Sequence, residues 1–353
     1  MNKTMKTLIL FILLTSLSAV KGGRSFTDLQ EKIDANEGTI EITEDYEYNE
    51  KIDEDLEKGI LIDQNNIKIN GNGHTINGCG KSRIFNINAD NITISNLNFE
   101  NGNNNTGGGA IKWTGHKGKL IDCNFNGNFA PVGGAICTYT NNMRIYGCRF
   151  ENGNADKAAA INWVGLNGKI KDCSFSNLTA RENGGAVHIS HENTVIENCS
   201  FRSTSSEKGG AIYLSSATDG AIVGCRFENI GTKRTGAIHY SNCKSNIILG
   251  CEFAGNRGGA ISETKGRNNT IFDCTFLENK SDSCGMITMN GLNSEIDNCN
   301  FYDNESENGL IKWKCMKGKI TNSTFENNLC NEIEVASFAD VDFKNNFVIQ
   351  GKY

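Results

Sequence analysis

Residues 169–176 read Lys-Ile-Lys-Asp-Cys-Ser-Phe-Ser, and residues 184–189 read Gly-Gly-Ala-Val-His-Ile. Cys173 and Phe175 alternate with polar neighbours, as residues on the inner face of a strand do. Ile170 has the wrong parity to share that face if the strand is straight. A bend at Asp172 restores the match. The reading is therefore strand, one-residue corner, strand.

The first phrase returns ten times, marked by Phe99, Phe125, Phe150, Phe175, Phe201, Phe227, Phe253, Phe276, Phe301 and Phe325, at spacings of 23 to 26 residues. The bend position is Asn96, Asp122, Gly147, Asp172, Asn198, Gly224, Gly250, Asp273, Asn298 and Asn322. Every one is Asn, Asp or Gly, the types that accept a left-handed backbone at low cost. A fixed period in this range means a stack of like units, each burying its apolar face on its neighbours.

The second phrase follows each Phe after 8 to 12 residues, as in Gly108-Gly109-Ala110-Ile111, with Ala158 to Ile161 as a variant. Two residues beyond the Ile comes a large apolar group: Trp113, Trp163, Ile189, Leu214, Tyr240, Met289, Trp313. Between the two sit Lys112, Asn162, His188, Tyr213, His239, Ser262, Thr288 and Lys312. This is a third strand with its own inside and outside. Three short strands in about 25 residues make an all-β parallel β-helix, a solenoid. With roughly 12 to 13 turns, stacked at the inter-strand spacing, the rod is about 60 Å long. One Pro in 353 residues suits a body made of ladders, because Pro cannot donate to them.

The ends differ from the body. Residues 1–22 have the form of a secretory signal: Lys3 and Lys6 precede the apolar run Leu8 to Leu14, and small residues follow. No other stretch is long enough to cross a bilayer as a helix. Residues 23–58 form an acidic N-terminal cap, residues 59–330 the repeats and residues 331–353 a closing segment. Within the cap, residues 28–58 hold 13 acids and three Lys, whereas the chain from residue 59 onward balances to zero. A neutral rod with an acidic end is no footprint for nucleic acid. Asp53, Glu54 and Asp55 lack the spacing of a calcium loop and read as solvated surface. Thr27-x-x-Gln30 reads as a capping box opening a short helix with Phe26, Leu29 and Ile33 on one face. Such a helix would plug the open end of the stack.

Of fourteen cysteines, eight occupy one slot of the repeat: Cys123, Cys148, Cys173, Cys199, Cys225, Cys251, Cys274 and Cys299. Leu97 and Ser323 take that slot in the outer copies. An even cysteine count in a secreted chain suggests disulfides. In-register side chains run parallel, however, with Cβ atoms farther apart than a disulfide favours. The slot therefore reads as a stack of buried thiols packing as small hydrophobes. Cys137, Cys243, Cys284, Cys315 and Cys330 remain candidates for bridges. A linear stack without C-x-x-C offers no tetrahedron for a metal.

The paired phrases G-G-A-[ILV] and F-x-x-N resemble the polymorphic outer membrane protein repeats of chlamydial surface proteins across about residues 95–330. The four-residue form is complete at Phe125 to Asn128, Phe253 to Asn256, Phe276 to Asn279, Phe301 to Asn304 and Phe325 to Asn328. The N-terminal part, from Phe26 through Gly71-Asn-Gly-His74-Thr-Ile76-Asn-Gly78, is similar to the opening of adhesin-like β-helix proteins of methanogenic archaea. The resemblance implies a pectin-lyase-like, right-handed β-helix, secreted or on the cell surface, with an adhesive role. Chlamydial members end in a membrane barrel, which this chain does not contain.

The same fold carries enzymes that cut acidic polysaccharides, so that class is the alternative. A glycosidase needs two carboxylates across one bond. The regular acids Asp122, Asp172 and Asp273 instead lie at the corner, on rungs separated by others. Gly73-His74 matches only part of a polygalacturonase-type signature and reads as a turn. No catalytic residue, cofactor or metal ligand is assigned. One outward stripe stands out: His188, Tyr213 and His239 fall on successive rungs, an aromatic between two imidazoles that would suit stacking on a sugar. The expected partner is an extracellular glycan or a cell-surface protein.

Overall fold

The computed structural model describes residues 24–282, 285–313 and 318–330, together with strands up to Val348. The signal-like residues 1–22, Cys284 and Cys315 lie outside the described residues.

The body is a parallel solenoid. Its first sheet has 13 strands, from Thr39–Glu41 to Ser337–Ala339; its second has 13, from Tyr46–Glu47 to Asp342–Lys344; its third has 12, from Ile60–Ile62 to Ile333–Glu334. Equivalent residues of the repeat lie side by side: Ile145 beside Ile170, Phe150 beside Phe175, Ile136 beside Ile161. The strands of the expected closing segment continue these ladders. Two further four-stranded ladders run between the second and third sheets, one of Asn154–Lys157, Thr179–Asn183, Ser205–Ser206 and Gly231–Thr232.

The corner explains the parity problem. All ten corner residues have positive φ, between 49° and 62°. The chain reverses its sidedness there, so Ile170, Cys173 and Phe175 are all inside, with 0 to 3% of their surface exposed. From Phe99 to Phe325 the phenyl rings form one column, with centroids 4.4 to 5.0 Å apart and planes within 8° of parallel. Isolated rings prefer offset or edge contacts; here the strand spacing imposes the stack. In the Gly-Gly-Ala phrase the second glycine is needed for closeness: a Cβ at Gly134 would sit 2.3 Å from the Ala159 carbonyl oxygen.

The cysteine slot is inward, and its occupants are free thiols. Each caps a carbonyl just before the corner, as Cys173 Sγ does to Lys171 O at 3.2 Å and Cys199 Sγ to Glu197 O at 3.2 Å. Ser323 substitutes directly, donating to Thr321 O at 2.7 Å. Burial pushes the Cys148 thiol well above its ordinary pKa. Cys137 and Cys243 are buried free thiols as well. The F-x-x-N asparagines Asn128, Asn256, Asn279, Asn304 and Asn328 are buried; the last four form an amide ladder, and Asn128 bonds Gly102 N and Phe99 O of the preceding coil.

The N-terminal helix α1 (Phe26–Asp34) buries Phe26, Leu29 and Ile33 as the spacing requires. Its capping box is Ser25 with Asp28, not Thr27 with Gln30. Gln30 instead bonds the neighbouring strand through Leu61. Asp53 corrects the reading of a solvated acidic run. It is 1% exposed, and its carboxylate accepts from Phe26 N, Thr27 N, Thr27 Oγ1 and Asn49 N at 2.7 to 3.1 Å. A negative charge at a helix N-terminus meets both the unpaired N–H groups and the helix dipole.

Candidate functional site

The middle residue of each third-sheet strand points away from the core. Register places Asn86, Lys112, Cys137, Asn162, His188, Tyr213, His239, Ser262, Thr288 and Lys312 in one column. No carboxylate stands among these ten, and register adds only Leu61 and Glu334 at the two ends, so this column offers no pair of acids for a two-carboxylate glycosidase.

The column brings His188, Tyr213 and His239 together. The His188 and Tyr213 rings meet edge to face at 5.2 Å; Tyr213 and His239 stack at 5.3 Å with planes 29° apart. Both imidazoles are held from the side. His188 Nδ1 lies 3.0 Å from Asn162 Oδ1, and His239 Nδ1 lies 2.6 Å from Ser262 Oγ. Asn162 in turn donates to Cys137 Sγ at 3.6 Å. With Nδ1 donating to Asn162, His188 Nε2 is a buried acceptor with no hydrogen-bond partner. His188 and Tyr213 are half-buried, and His239 is buried. The stripe is thus more enclosed than an ordinary exposed strand face.

Burial, aided by the charge of Lys157, pushes His188 down to a pKa of about 4. Burial, aided by Lys208, does the same to His239, also to about 4. Both rings are therefore neutral near pH 7. Lys157 ends a strand of the small ladder that precedes the third sheet, and pairs with Glu182 at 3.5 Å. Asn162 and Ser262 were readable from their place in the phrase. Lys157 and Lys208 were not, because they come from the segment whose length varies between repeats.

Two surface hollows lie elsewhere. One of about 540 Å³ sits beside the end of α1, at Asp34, Glu37 and Gln64, and one of about 450 Å³ over the corner at Asp172, Asn198 and Gly224. Small-molecule sites are usually enclosed and apolar. A shallow ladder of rings and amides better suits an extended ligand. Among the described residues, no three His, Cys, Asp or Glu side chains converge as metal ligands. His74 sits in a turn at the N-terminal end, 3.1 Å from Asp45.

One carboxyl is hidden in the core. Glu263 takes the inward position held by Trp163 and Tyr240 in other coils and is fully buried. Asn269 Nδ2 donates to it, and Ser294 Oγ lies 3.3 Å from Oε2. Burial raises its pKa, against the opposing pull of these hydrogen bonds. With no exposed surface it has no contact with a ligand and is structural.

A family model described as the right handed beta helix region matches residues 159–284 and 210–353. No curated protein matches the sequence. Among solved structures, the chain is similar to PfbA, a surface adhesin of Streptococcus pneumoniae, at 14% identity and a TM-score of 0.62, covering 96% of this chain and 90% of that one. It is similar to the A-module of the mannuronan C-5 epimerase AlgE6 of Azotobacter vinelandii at 11% identity and a TM-score of 0.59, covering 96% and 98%. A lacto-N-biosidase from Eubacterium ramulus aligns at 12% identity and a TM-score of 0.55, over 90% of this chain and 64% of that one. At these identities the likeness is one of fold.

Proposed function

We propose, from the premise that the chain belongs to the right-handed β-helix family, that it is a secreted or cell-surface, adhesin-like protein. It binds an extracellular glycan or protein ligand along the outer face of the third sheet, without turnover. The observation that carries this reading is Tyr213 held between the His188 and His239 rings, with Asn162 and Ser262 fixing the imidazoles. Ring faces offer apolar stacking area, and the amide and hydroxyl groups beside them offer hydrogen bonds. Lys157 and Lys208 add positive charge at the side. The adhesin among the similar folds, and the resemblance to chlamydial surface repeats, agree with this reading. Among the described residues no helix is long and apolar enough to cross a membrane.

A second reading is favoured by one observation. Neutral imidazoles beside a phenol can also act as an acid–base set, so a polysaccharide-active enzyme is the alternative. One experiment separates the two. The purified protein is incubated with a panel of polysaccharides and glycans, and both retention and product release are recorded. Retention without release, lost in Tyr213→Ala, supports the binder. Release of unsaturated or reducing sugars overturns it in favour of the enzyme. Retention that Tyr213→Ala leaves intact removes the column from the site.

A further inference from the structure

The outer face of the first sheet carries a second pattern, unrelated to the column. Each strand there presents two outward residues. Along most of the sheet they are polar, as in Lys68 and Asn70 or Thr93 and Ser95. Over four successive rungs six of the eight are apolar, Val195, Ala221, Val223, Ile247, Leu249 and Phe272, with Glu197 and Thr270 at the two ends of the patch. Ladder neighbours cover their flanks, and each remains half-buried. A contiguous apolar patch rimmed by charge marks an interaction surface.

The rims have opposite signs. On the N-terminal side, Lys169 and Lys171 both pair with Glu197, two cations to one anion. On the C-terminal side, Glu295 pairs with Lys319 at 2.9 Å, and Asp297 accepts from Thr321 and Asn322 at 2.7 and 2.8 Å, two anions to one cation. The midpoint of the patch falls between the rungs of Val223 and Leu249. Lys171 and Asp297 are equally far from it, each three rungs out.

We infer that this face binds a second copy of the chain, packed sheet on sheet with the solenoid axes antiparallel. The two-fold axis lies in the interface, along the strands, between Val223 and Leu249. That operation keeps each outward column on itself and reverses the rung order. Val223 then meets Leu249 of the second copy, Ala221 meets Ile247, and the Lys169–Lys171 rim meets Glu295 and Asp297. A two-fold along the solenoid axis would instead set each charged rim against its own sign. The same patch serves both copies, as a closed two-fold contact requires. With the charged rims included, six rungs span about 29 Å at the inter-strand spacing, and on strands of three residues the contact stays below the roughly 800 Å² per partner of a standard interface. The pair should be reversible and salt-sensitive. The third sheet lies on another face, so both His188–Tyr213–His239 columns stay open.

Sedimentation over a wide concentration range tests this on the full chain, with circular dichroism to confirm that each variant is folded. The wild type should dimerise. Leu249→Lys and Lys171→Asp should each raise the dissociation constant roughly tenfold or more, the latter because it places like charges together twice. Adding Asp297→Lys to Lys171→Asp should restore the dimer. A wild type that stays monomeric, a dimer indifferent to Leu249→Lys, or a double variant that does not recover would overturn the proposal.

Discussion

The side-chain oxygen of Asn279 accepts two hydrogen bonds from Asn256, one from its main-chain N–H at 3.0 Å and one from its amide at 2.9 Å. The Asn279 amide nitrogen donates to Phe253 O at 2.8 Å. Each asparagine of the F-x-x-N motif thus satisfies the turn of the preceding coil. The motif is structural, and Asn304, although part of an Asn-x-Ser sequence, is buried within it. Asn279→Ala would leave a buried carbonyl and a buried N–H without partners. The expected loss is about 2–3 kcal/mol, from the cost of unsatisfied buried groups. Urea unfolding of the variant against the wild type measures it; a loss indistinguishable from zero would mean that water or a backbone shift replaces the amide.

Glu263 predicts a stability change of the opposite sign. Its folded pKa is raised, chiefly by burial. The folded protein therefore holds the proton more tightly than the unfolded chain, and stability falls as pH rises from the unfolded value through the folded one. Glu263→Gln removes the charge and keeps a carbonyl acceptor for Asn269. The variant should be more stable than the wild type at neutral pH, with the difference closing at low pH. Thermal melts of both proteins across an acid-to-neutral series check this. A variant less stable at neutral pH would show that the carboxylate is fully compensated.

How much of this was legible depends on whether the deciding interaction is local. The corner was readable at Asp172 and its nine counterparts because positive φ restricts the residue type. The His188–Tyr213–His239 column was readable because the Gly-Gly-Ala phrase sets the register. The helix cap was misread because Ser25-x-x-Asp28 and Thr27-x-x-Gln30 both fit the local pattern. What surrounds the helix start is decided by Asp53, which reaches back from the next loop. Glu263 was silent because its partner Ser294 comes from the next coil, although Asn269 lies only six residues on, and because a charge in an inward row violates the pattern that made the row visible. Lys157 and Lys208 sit in the variable segment, where no period fixes register.

The thiol ladder makes a chemical prediction. Cys79 is exposed, whereas Cys148, Cys225 and their counterparts are buried and bonded to carbonyls. Thiolates, not thiols, react with alkylating agents. In the native protein, alkylation followed by peptide mass mapping should label Cys79 and spare the ladder; in denaturant every ladder thiol should react. Cys225→Ser should fold with little loss, since Ser323 already fills the slot with the same hydrogen bond. Ladder peptides that fail to react in denaturant without reductant would reveal disulfides instead.

The two histidines of the column contribute to acid sensitivity. Both fall from an ordinary value of 6.5 to about 4 on folding. The unfolded chain therefore binds more protons between these values, so their stability contribution is full above about pH 6.5 and is lost as pH falls toward 4. A shift of this size is worth at most about 3 kcal/mol per ring. His239→Asn should reduce the loss between neutral and pH 4, leaving His188 and, with opposite sign, Glu263 to act in that window. The measurement is the urea midpoint as a function of pH. If the proposed ligand stacks on the neutral rings, its binding should fall over the same acid window, ahead of global unfolding. Binding that persists unchanged to pH 4 would show that the ligand does not depend on these imidazoles.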